Sequence, residues 1–476
     1  MTGALWTWDN LVPAAIGVAD GAPAVPITGF SIDTRSLEPG EVFVALRDVR
    51  DGHDFVLEAF CKGAAAALVS TEYKRRDGDG ALLRVRDTLE GLRSIAAAAR
   101  RRTEARIVAV TGSVGKTGTK EALRACLSRL GETHAAEKSF NNHWGVPLTL
   151  ARMPAPARYG VFEIGMNHAG EITPLTALVR PHVAIVTTVE PVHLEFFGST
   201  DKIAEAKAEI FLGLEPGGVA VLNRDNPHFD LLARRAREHG ARIVSFGRHE
   251  NADVRPEVFT LDAEGSDIAV SIGGRRIAYR VGAPGAHIAQ NSLAVIATLD
   301  ALGADVGKAV AALGDIRAAK GRGERREVAV AGGSILIIDE SYNANPASMR
   351  SALAAMATVP RARFPRRIAV LGDMLELGES SGPLHAALND PIDAAEVDLV
   401  FASGENMQHL FEALPAGRRG AWAPTSEGIA ATLGEAVRAG DVVMVKGSLG
   451  SRMAPLVEAL LTKGEQQPAP ASASRQ

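Results

Sequence analysis

A short apolar run that leads into a glycine loop constrains this chain most: residues 108–117, Val-Ala-Val-Thr-Gly-Ser-Val-Gly-Lys-Thr. The run predicts a buried β-strand, and the residues after the loop predict a helix. Glycines let the backbone N–H groups of such a loop face one way, and the helix N-terminus adds further donors, so the segment predicts a phosphate cradle. Lys116 would then reach the β- and γ-phosphates of a nucleotide, and the Thr117 hydroxyl would ligate Mg²⁺.

The loop departs from the general phosphate-binding pattern at one position. That pattern has a glycine five residues before Gly115, where this chain has Val110. The loop is therefore a tighter Gly-x-x-Gly-Lys-Thr form, made of Gly112, Ser113, Val114, Gly115, Lys116 and Thr117. A coincidental strand–turn–helix is the alternative, and the loop alone does not say what the nucleotide is used for.

Composition describes an ordinary globular protein and excludes several classes of function. The chain has 476 residues, enough for about three domains, with 46% hydrophobic and 23% charged residues. A net charge of −4 gives no field that favours nucleic acid or anionic lipid. No apolar run is long enough to span a membrane, and no export signal is present. Cys61 and Cys126 lack paired spacing, which predicts reduced core thiols in a cytoplasmic protein.

Alternating strand and helix patterns predict an α/β fold of three domains, covering residues 1–103, 104–318 and 319–463. The glycine-rich stretch 319–323 is the best linker, and residues 464–476 are predicted to be a disordered tail. In the first domain, strands are predicted at 29–32, 42–46 and 66–69 and helices at 55–62 and 88–101. Parallel strands are predicted near 107–110, 160–164, 183–187, 219–222 and 242–245, with a closing helix at 285–302, and in the third domain at 335–338, 367–371, 398–401 and 441–445.

Two residues near predicted strand ends of the central domain, Glu163 and His193, are candidates for catalysis, and a third residue, Lys207, does not stand out by itself. Glu163 ends a strand that should be buried, and if that strand neighbours the loop strand, the carboxylate lies beside Thr117 and can ligate the same ion; a salt-bridged or capping glutamate is the alternative. His193 follows another strand and is either functional or structural. Lys207, in a helical stretch, looks by itself like a surface lysine paired with an acid.

Other polar stretches suit ligand binding. Residues 138–147 include Asn141 and Asn142 and could supply amides to a ligand, although a plain loop would look similar. Residues 339–346 bring two acids, a tyrosine and two asparagines to one strand end. In the first domain, residues 31–35 and 51–55 place polar groups where ligands bind in open α/β sheets.

Taken together, these residues resemble the Mur ligases of peptidoglycan synthesis over nearly the whole chain, from about Ser31 to Met453. The family's phosphate loop is similarly short, so Val110 adds to the resemblance. Residues 141–147, 163–168 and especially 339–349 are similar to the branch that adds D-alanyl-D-alanine.

The resemblance implies a small N-terminal UDP-binding domain, a central P-loop ATPase domain with a mostly parallel sheet and a C-terminal Rossmann-like domain. It implies ATP-dependent joining of D-Ala-D-Ala to UDP-MurNAc-tripeptide by a cytoplasmic monomer. Two Mg²⁺ ions would be used, the first held by Thr117 and Glu163, the second by His193 and a carbamylated Lys207. By the same resemblance Asn291 contacts adenine and Arg322 the γ-phosphate, Asp339 with Tyr342 or Asn343 contacts the nucleotide, Asn141 and Asn142 the substrate, and Ser31, Asp33, Thr34, Arg35 and His53 lie near UDP.

Three alternatives stay open at this point. The chain could be a Mur-type ligase with another amino-acid substrate, or a silent UDP-sugar-binding homologue, although the latter would be expected to have lost Lys116, Glu163 or His193. A switch GTPase would need an Asn-Lys-x-Asp motif, and the nearest run, residues 223–226, has neither the lysine nor the aspartate at the right place.

Overall fold

The computed structural model of the protein describes residues 3–137, 139–192 and 194–465. Within these residues the strands form four sheets, one of five strands, two of six and one of three. The fold is α/β with mostly parallel sheets, as predicted. We refer to residues 3–103, 104–318 and 319–465 as the N-terminal, central and C-terminal domains; these boundaries are taken from the sequence.

The N-terminal domain is built on the five-stranded sheet, in the order β1-β5-β4-β3-β2, in which only the β1–β5 pair is antiparallel. Its strands are β1 (Val18–Asp20), β2 (Gly29–Ser31), β3 (Glu41–Val44), β4 (Ala66–Ser70) and β5 (Ala81–Val85), and its helices are α1 (Trp8–Ala14), α2 (Val56–Cys61) and α3 (Thr88–Arg101). Helix α3 has the predicted bounds, and the Asp87 side chain caps it by accepting from the Glu90 N–H. The helix predicted from residue 55 is preceded by a 3₁₀ turn, Gly52–Phe55, and α1, β1 and β5 were not predicted.

The central domain contains a six-stranded, wholly parallel sheet in the order β11-β10-β9-β6-β8-β7. The strands are β6 (Arg106–Thr111), β7 (Thr133–Ala135), β8 (Tyr159–Glu163), β9 (Val183–Val186), β10 (Val219–Asn223) and β11 (Arg242–Phe246). The helices are α4 (Lys116–Ser128), α5 (Gly145–Ala151), α6 (Ile172–Val179), α7 (Leu194–Phe197), α8 (Thr200–Ala208), α9 (Phe229–Glu238), α10 (Ala286–Ala301) and α11 (Val306–Ala309). All five predicted strands and the closing helix are present; of this sheet, only the short edge strand β7 was missed.

A three-stranded antiparallel sheet interrupts the predicted strand–helix alternation. It consists of β12 (Arg255–Leu261), β13 (Ser266–Ile272) and β14 (Arg275–Val281). Its β12 edge is largely exposed, so the apolar signal there is weak. A signal was available, however: Gly273 and Gly274 both have positive φ and form the hairpin turn that a Gly-Gly pair between alternating strands predicts.

The C-terminal domain has a second six-stranded sheet, in the order β15-β16-β20-β17-β18-β19, with β15 antiparallel. The strands are β15 (Glu324–Val330), β16 (Gly333–Glu340), β17 (Arg366–Gly372), β18 (Leu399–Ser403), β19 (Arg419–Ala423) and β20 (Asp441–Lys446). The helices are α12 (Pro346–Ala357), α13 (Ser381–Ala386), α14 (Asn389–Ala394), α15 (Met407–Ala413), α16 (Ser426–Ala436) and α17 (Ala454–Glu465). The four predicted strands are present, and the two edge strands were missed. Helix α17 runs into the predicted tail, of which residues 466–476 lie outside the described residues.

The N-terminal and central domains share a packed interface. The Arg102 guanidinium lies 3.6 Å from the centre of the Trp6 ring and donates to the carbonyls of Leu5 and Met153. The Trp6 indole donates to the Ala151 carbonyl in α5, and α5 itself packs into the N-terminal core. Buried cation and indole contacts of this kind tie the two domains together.

Two further predictions concern the chain as a whole. Cys61 and Cys126 are both free thiols, but only Cys126 is buried, so the prediction that both lie in the core was wrong for Cys61. In the ranges that the structure describes, every helix is too short or too polar to cross a membrane.

Candidate active site

The glycine loop joins β6 to α4 as predicted, and its shape requires glycine at two positions. Gly112 and Gly115 have φ of 148° and 87°, and Gly115 forms the N-cap of α4. A Cβ at Gly112 would overlap the Thr187 hydroxyl, and one at Gly115 would overlap the Asn291 amide. The loop therefore packs closely against Thr187, just after β9, at Gly112 and against Asn291 of α10 at Gly115.

Lys116 is held over this loop. Its Nζ donates to the Gly112 carbonyl at 2.7 Å, and burial lowers its pKa, partly offset by the nearby Glu163 carboxylate. A half-buried cation beside a loop of N–H donors suits a ligand with several negative charges, because both can donate hydrogen bonds to the same anion.

Glu163 lies beside Thr117, as the strand order requires. Strands β6 and β8 are parallel neighbours, with Val110 opposite Glu163, so both strands end at the same edge of the sheet. The Thr117 hydroxyl donates to Glu163 Oε2 at 2.9 Å, and the Asn141 amide donates to Oε1 at 2.7 Å. Glu163 is only 2% exposed, so the prediction of a buried carboxylate next to Thr117 is confirmed.

These oxygens fit Mg²⁺. A carboxylate and a hydroxyl at the mouth of a phosphate loop are hard donors, and Mg²⁺ is usually held by one or two carboxylates together with substrate phosphates. In the described part of the chain no cluster of three or more His, Cys, Asp or Glu side chains could hold a metal by itself. Thr117 and Glu163 thus suit an ion that arrives with a nucleotide.

Lys207 is not the surface residue that its local sequence indicates. It is 2% exposed, and burial, with the positive charge of Lys116 second, lowers its pKa well below the ordinary lysine value. Its amine forms no hydrogen bond or ion pair with the described residues. His193, predicted to share a metal with it, lies outside the described residues.

A cleft of about 370 Å³ extends from the glycine loop between the central and C-terminal domains. One part is an apolar slot, lined by Ala122, Val281, Ala283, Ile288, Leu313 and Ile316. Asn291 lines the cleft where the slot meets the loop. Its contact with adenine stays a prediction.

The C-terminal domain closes the cleft with Arg322 and the 339–346 turn. The Arg322 guanidinium lies 4.1 Å from the centre of the Tyr342 ring and contacts the Ser139 hydroxyl at 3.5 Å. Tyr342 and Asn343 line the cleft. Asp339 is instead occupied inside its own domain, accepting from the Gly321 N–H and from both the N–H and hydroxyl of Ser341. It fixes the linker to β16, and its predicted contact with the nucleotide is untested.

The predicted UDP residues gather at the ends of β2 and near α2. Ser31 and Thr34 are buried, whereas Arg35 is exposed and paired with Asp33 at 2.6 Å. In His53, Nδ1 pairs with Asp51 at 2.6 Å and Nε2 accepts from the Ser70 N–H at 2.9 Å. Both ring nitrogens are thus used within the domain, which is a supporting role.

Three further residues line the cleft without having been named as site residues from the sequence: Glu340, Lys446 and His287. Lys446 is 2% exposed and donates to Glu340 at 3.2 Å and to the Asn343 carbonyl at 2.9 Å. Glu340 and Lys446 lie at the ends of two adjacent parallel strands, β16 and β20, where the sequence has polar residues after apolar runs. His287, in the first turn of α10, carried no such signal.

Fold and site together define a nucleotide-binding protein with a phosphate loop, and comparison with known proteins places it among ligases. The family model described as the Mur ligase middle domain matches residues 110–299, and the one described as the Mur ligase glutamate ligase domain matches residues 321–449. The chain belongs to the Mur ligase family.

The similarity extends to one branch of the family. The UDP-N-acetylmuramoyl-tripeptide–D-alanyl-D-alanine ligase of Escherichia coli is 34% identical, with 96% of this chain and 99% of that protein covered. The Rickettsia prowazekii enzyme of the same name is 31% identical, with 90% and 93% covered. Crystal structure I of MurF from Acinetobacter baumannii matches with a TM-score of 0.83 at 31% identity, covering 96% and 99% of the two chains. The Thermotoga maritima MurF structure, determined in complex with ADP, has a TM-score of 0.76 at 26% identity, covering 92% and 98%.

Proposed function

We propose that this protein is the ATP-dependent ligase that joins D-Ala-D-Ala to UDP-MurNAc-tripeptide. This is the reaction for which its relatives are named. The observation that carries the proposal is the group of Lys116, Thr117 and Glu163 at the mouth of a cleft that Arg322 and Tyr342 close from another domain. A binding protein for UDP-sugars would need no such cleft in its central domain.

The chemistry explains why ATP is needed. A carboxylate resists an amine because its negative charge repels the nucleophile and oxide is a poor leaving group. Transfer of the γ-phosphoryl group to the tripeptide carboxylate yields ADP and an acyl phosphate; the D-Ala-D-Ala amine then attacks its carbonyl carbon, phosphate leaves, and a proton is released. Mg²⁺, when bound, offsets the charge that the phosphates and the carboxylate share.

Residues of this chain have separate tasks in that sequence. Lys116 and the loop N–H groups bind the β- and γ-phosphates, and Arg322 approaches the γ-phosphate from the C-terminal domain. Thr117 and Glu163 would hold the first ion. Closure between the domains excludes water, which would otherwise hydrolyse the acyl phosphate.

Lys207 is proposed to act as a carbamate together with His193 on a second Mg²⁺. An ammonium beside Lys116 would repel a cation, whereas a neutral amine adds to CO₂ and releases one proton, leaving a carbamate with two oxygens and one negative charge. Burial lowers the pKa of Lys207, which favours the neutral amine that reacts with CO₂. Hard cations prefer such an oxygen ligand.

The remaining parts of the proposal concern the other substrate and the state of the protein. UDP binds the N-terminal domain near Ser31, Asp33, Thr34, Arg35 and His53, and the peptide extends toward Asn141 and Asn142. We propose a cytoplasmic monomer, since ATP is supplied there and every catalytic group named above comes from one chain. Light scattering should then give a mass near 50.0 kDa.

The test follows phosphate release from ATP and Mg²⁺ in the presence of UDP-MurNAc-tripeptide and D-Ala-D-Ala, with the product identified by mass spectrometry. Release should require both co-substrates. Lys116→Met should abolish it, whereas Lys308→Met, at an exposed lysine of the same domain, should not. Release supported by a single amino acid instead of the dipeptide would indicate another Mur-type ligase, and no release in any mixture would indicate a binding protein.

A further inference from the structure

The nucleotide cleft has three parts of different chemistry. The glycine loop offers N–H donors and Lys116, which suits phosphates. The apolar slot suits the two faces of a purine. The third part is a polar wall formed by His287 of the central domain with Glu340, Asn343 and Lys446 of the C-terminal domain.

His287 is the member of this wall without an internal partner. Its Nδ1 is buried and unbonded, and neither ring nitrogen forms a hydrogen bond with any residue that the structure describes. By contrast, Glu340 and Lys446 satisfy each other at 3.2 Å. His287 Nδ1 is packed against Gly285, so Nε2 is the ring nitrogen that a ligand in the cleft would reach. A polar atom without a partner costs free energy, which a ligand that bonds Nε2 would recover.

The position of His287 on α10 places it between the other two parts of the cleft. Asn291, one helical turn further along, contacts the glycine loop, and Ile288, the next residue around the helix, belongs to the apolar slot. In a nucleotide the sugar lies between phosphates and base. The polar wall therefore faces the sugar when the loop and the slot are filled.

The ring is also the right partner for a hydroxyl. Burial lowers the pKa of His287, with Glu340 opposing and Lys446 adding to the shift, so the imidazole is neutral at neutral pH. A neutral imidazole has one donor and one acceptor, and a hydroxyl can pair with either. Phosphate oxygens only accept, so they pair less well with this ring.

We propose that His287 binds a ribose hydroxyl of the nucleotide and makes the cleft selective for ribonucleotides. The inference rests on the proposed function, since it takes the cleft to hold ATP. In this assignment a residue of α10 contacts the substrate and determines specificity. Neither the glycine loop nor the 339–346 turn provides that contact.

The experiment measures, by calorimetry, the affinity of the full-length protein for ADP, 2′-deoxy-ADP and 3′-deoxy-ADP with Mg²⁺. Wild type should bind one deoxynucleotide about fivefold to tenfold more weakly than ADP, the cost of one hydrogen bond. His287→Phe should bind ADP as weakly as that deoxynucleotide and no longer discriminate between them. Gln290→Ala is the matched control, because Gln290 lies on the same helix but bonds Asp225 outside the cleft.

Equal affinity of wild type for all three nucleotides would overturn the assignment without any variant, and so would an equal loss for all three in His287→Phe. Thermal unfolding without nucleotide checks that the variant folds. Failure of the wider proposal looks different, because wild type would then bind none of the three nucleotides and release no phosphate with both co-substrates.

Discussion

The Thr117 hydroxyl and the Glu163 carboxylate, 46 residues apart in sequence, lie 2.9 Å apart at the carboxyl ends of two adjacent parallel strands. Thr117 lies in the first turn of α4, next to the predicted phosphate site. Without hydrogen-bond donors such as Thr117, Glu163 would be a buried carboxylate with no compensation for its charge. Their contact is stable without a ligand because Asn141 satisfies the second carboxylate oxygen. Binding of Mg²⁺ would replace a hydrogen bond that already orients both oxygens.

Glu163→Gln should therefore remove the charge while keeping the shape of the site. Ligase turnover should fall by roughly 100-fold or more, because the ion loses the carboxylate that lies beside Thr117. The Mg²⁺ concentration for half-maximal phosphate release should also rise. Glu104→Gln, at an exposed carboxylate before β6, is the matched control. Unchanged Mg²⁺ dependence would contradict the assignment.

Asn141→Ala distinguishes two roles for that amide. The sequence predicts contact with substrate, whereas the geometry places the amide on Glu163. If it orients Glu163, activity and apparent Mg²⁺ affinity should fall about 10- to 100-fold, as for other groups that hold a metal ligand. A higher KM for UDP-MurNAc-tripeptide with unaltered Mg²⁺ dependence would instead favour substrate contact. Asn142→Ala should have little effect on Mg²⁺, since Asn142 accepts from the Gly145 N–H within its own loop.

Lys207→Ala should lose most activity and regain part of it with added acetate or formate, because a short carboxylate can replace the carbamate oxygens. Removing CO₂ from wild type should lower its activity reversibly. Lys202→Ala, at an exposed lysine of the same helix, should keep wild-type activity and gain nothing from acetate or formate, but it should still lose activity when CO₂ is removed, because it retains Lys207. Full activity of Lys207→Ala in phosphate release would refute the carbamate.

The fold was predictable wherever strands are buried and continuous. The glycine loop, β8 and helix α3 follow from local sequence, since an apolar run or a capped helix specifies its own structure. Strands β12 and β15 were missed because they are edges with charged side chains, and charge on an edge hides the strand while protecting it from aggregation.

The candidate site was predictable where one segment carries the chemistry, and less so where two segments meet. Glu163 beside Thr117 followed from strand adjacency. Lys207 looked exposed because only the packing of α8 buries it, and the internal bonds of Asp339 and His53 depend on residues brought together by folding. For the same reason, the polar wall around His287 could be found only from the structure.

His182 gives the protein a stability that depends on pH. Its Nδ1 accepts from the Ile107 N–H at 3.0 Å, which requires a neutral ring, and burial, aided by nearby arginines, lowers its pKa to about 4. Below its ordinary pKa of 6.5 the unfolded chain binds a proton that the folded chain does not. This group therefore lowers the free energy of unfolding as pH falls from 6.5 toward 4.

The His182 ring is partly exposed, so solvent screening reduces the effect to about 1 kcal/mol between pH 7.5 and 5. Urea unfolding of wild type at the two pH values should show this loss in the free energy of unfolding, in addition to the contributions of other titrating groups. In His182→Gln, which keeps an acceptor but cannot titrate, the difference between the two pH values should be smaller by that amount. An identical pH dependence in both proteins would mean that His182 titrates normally in the folded state.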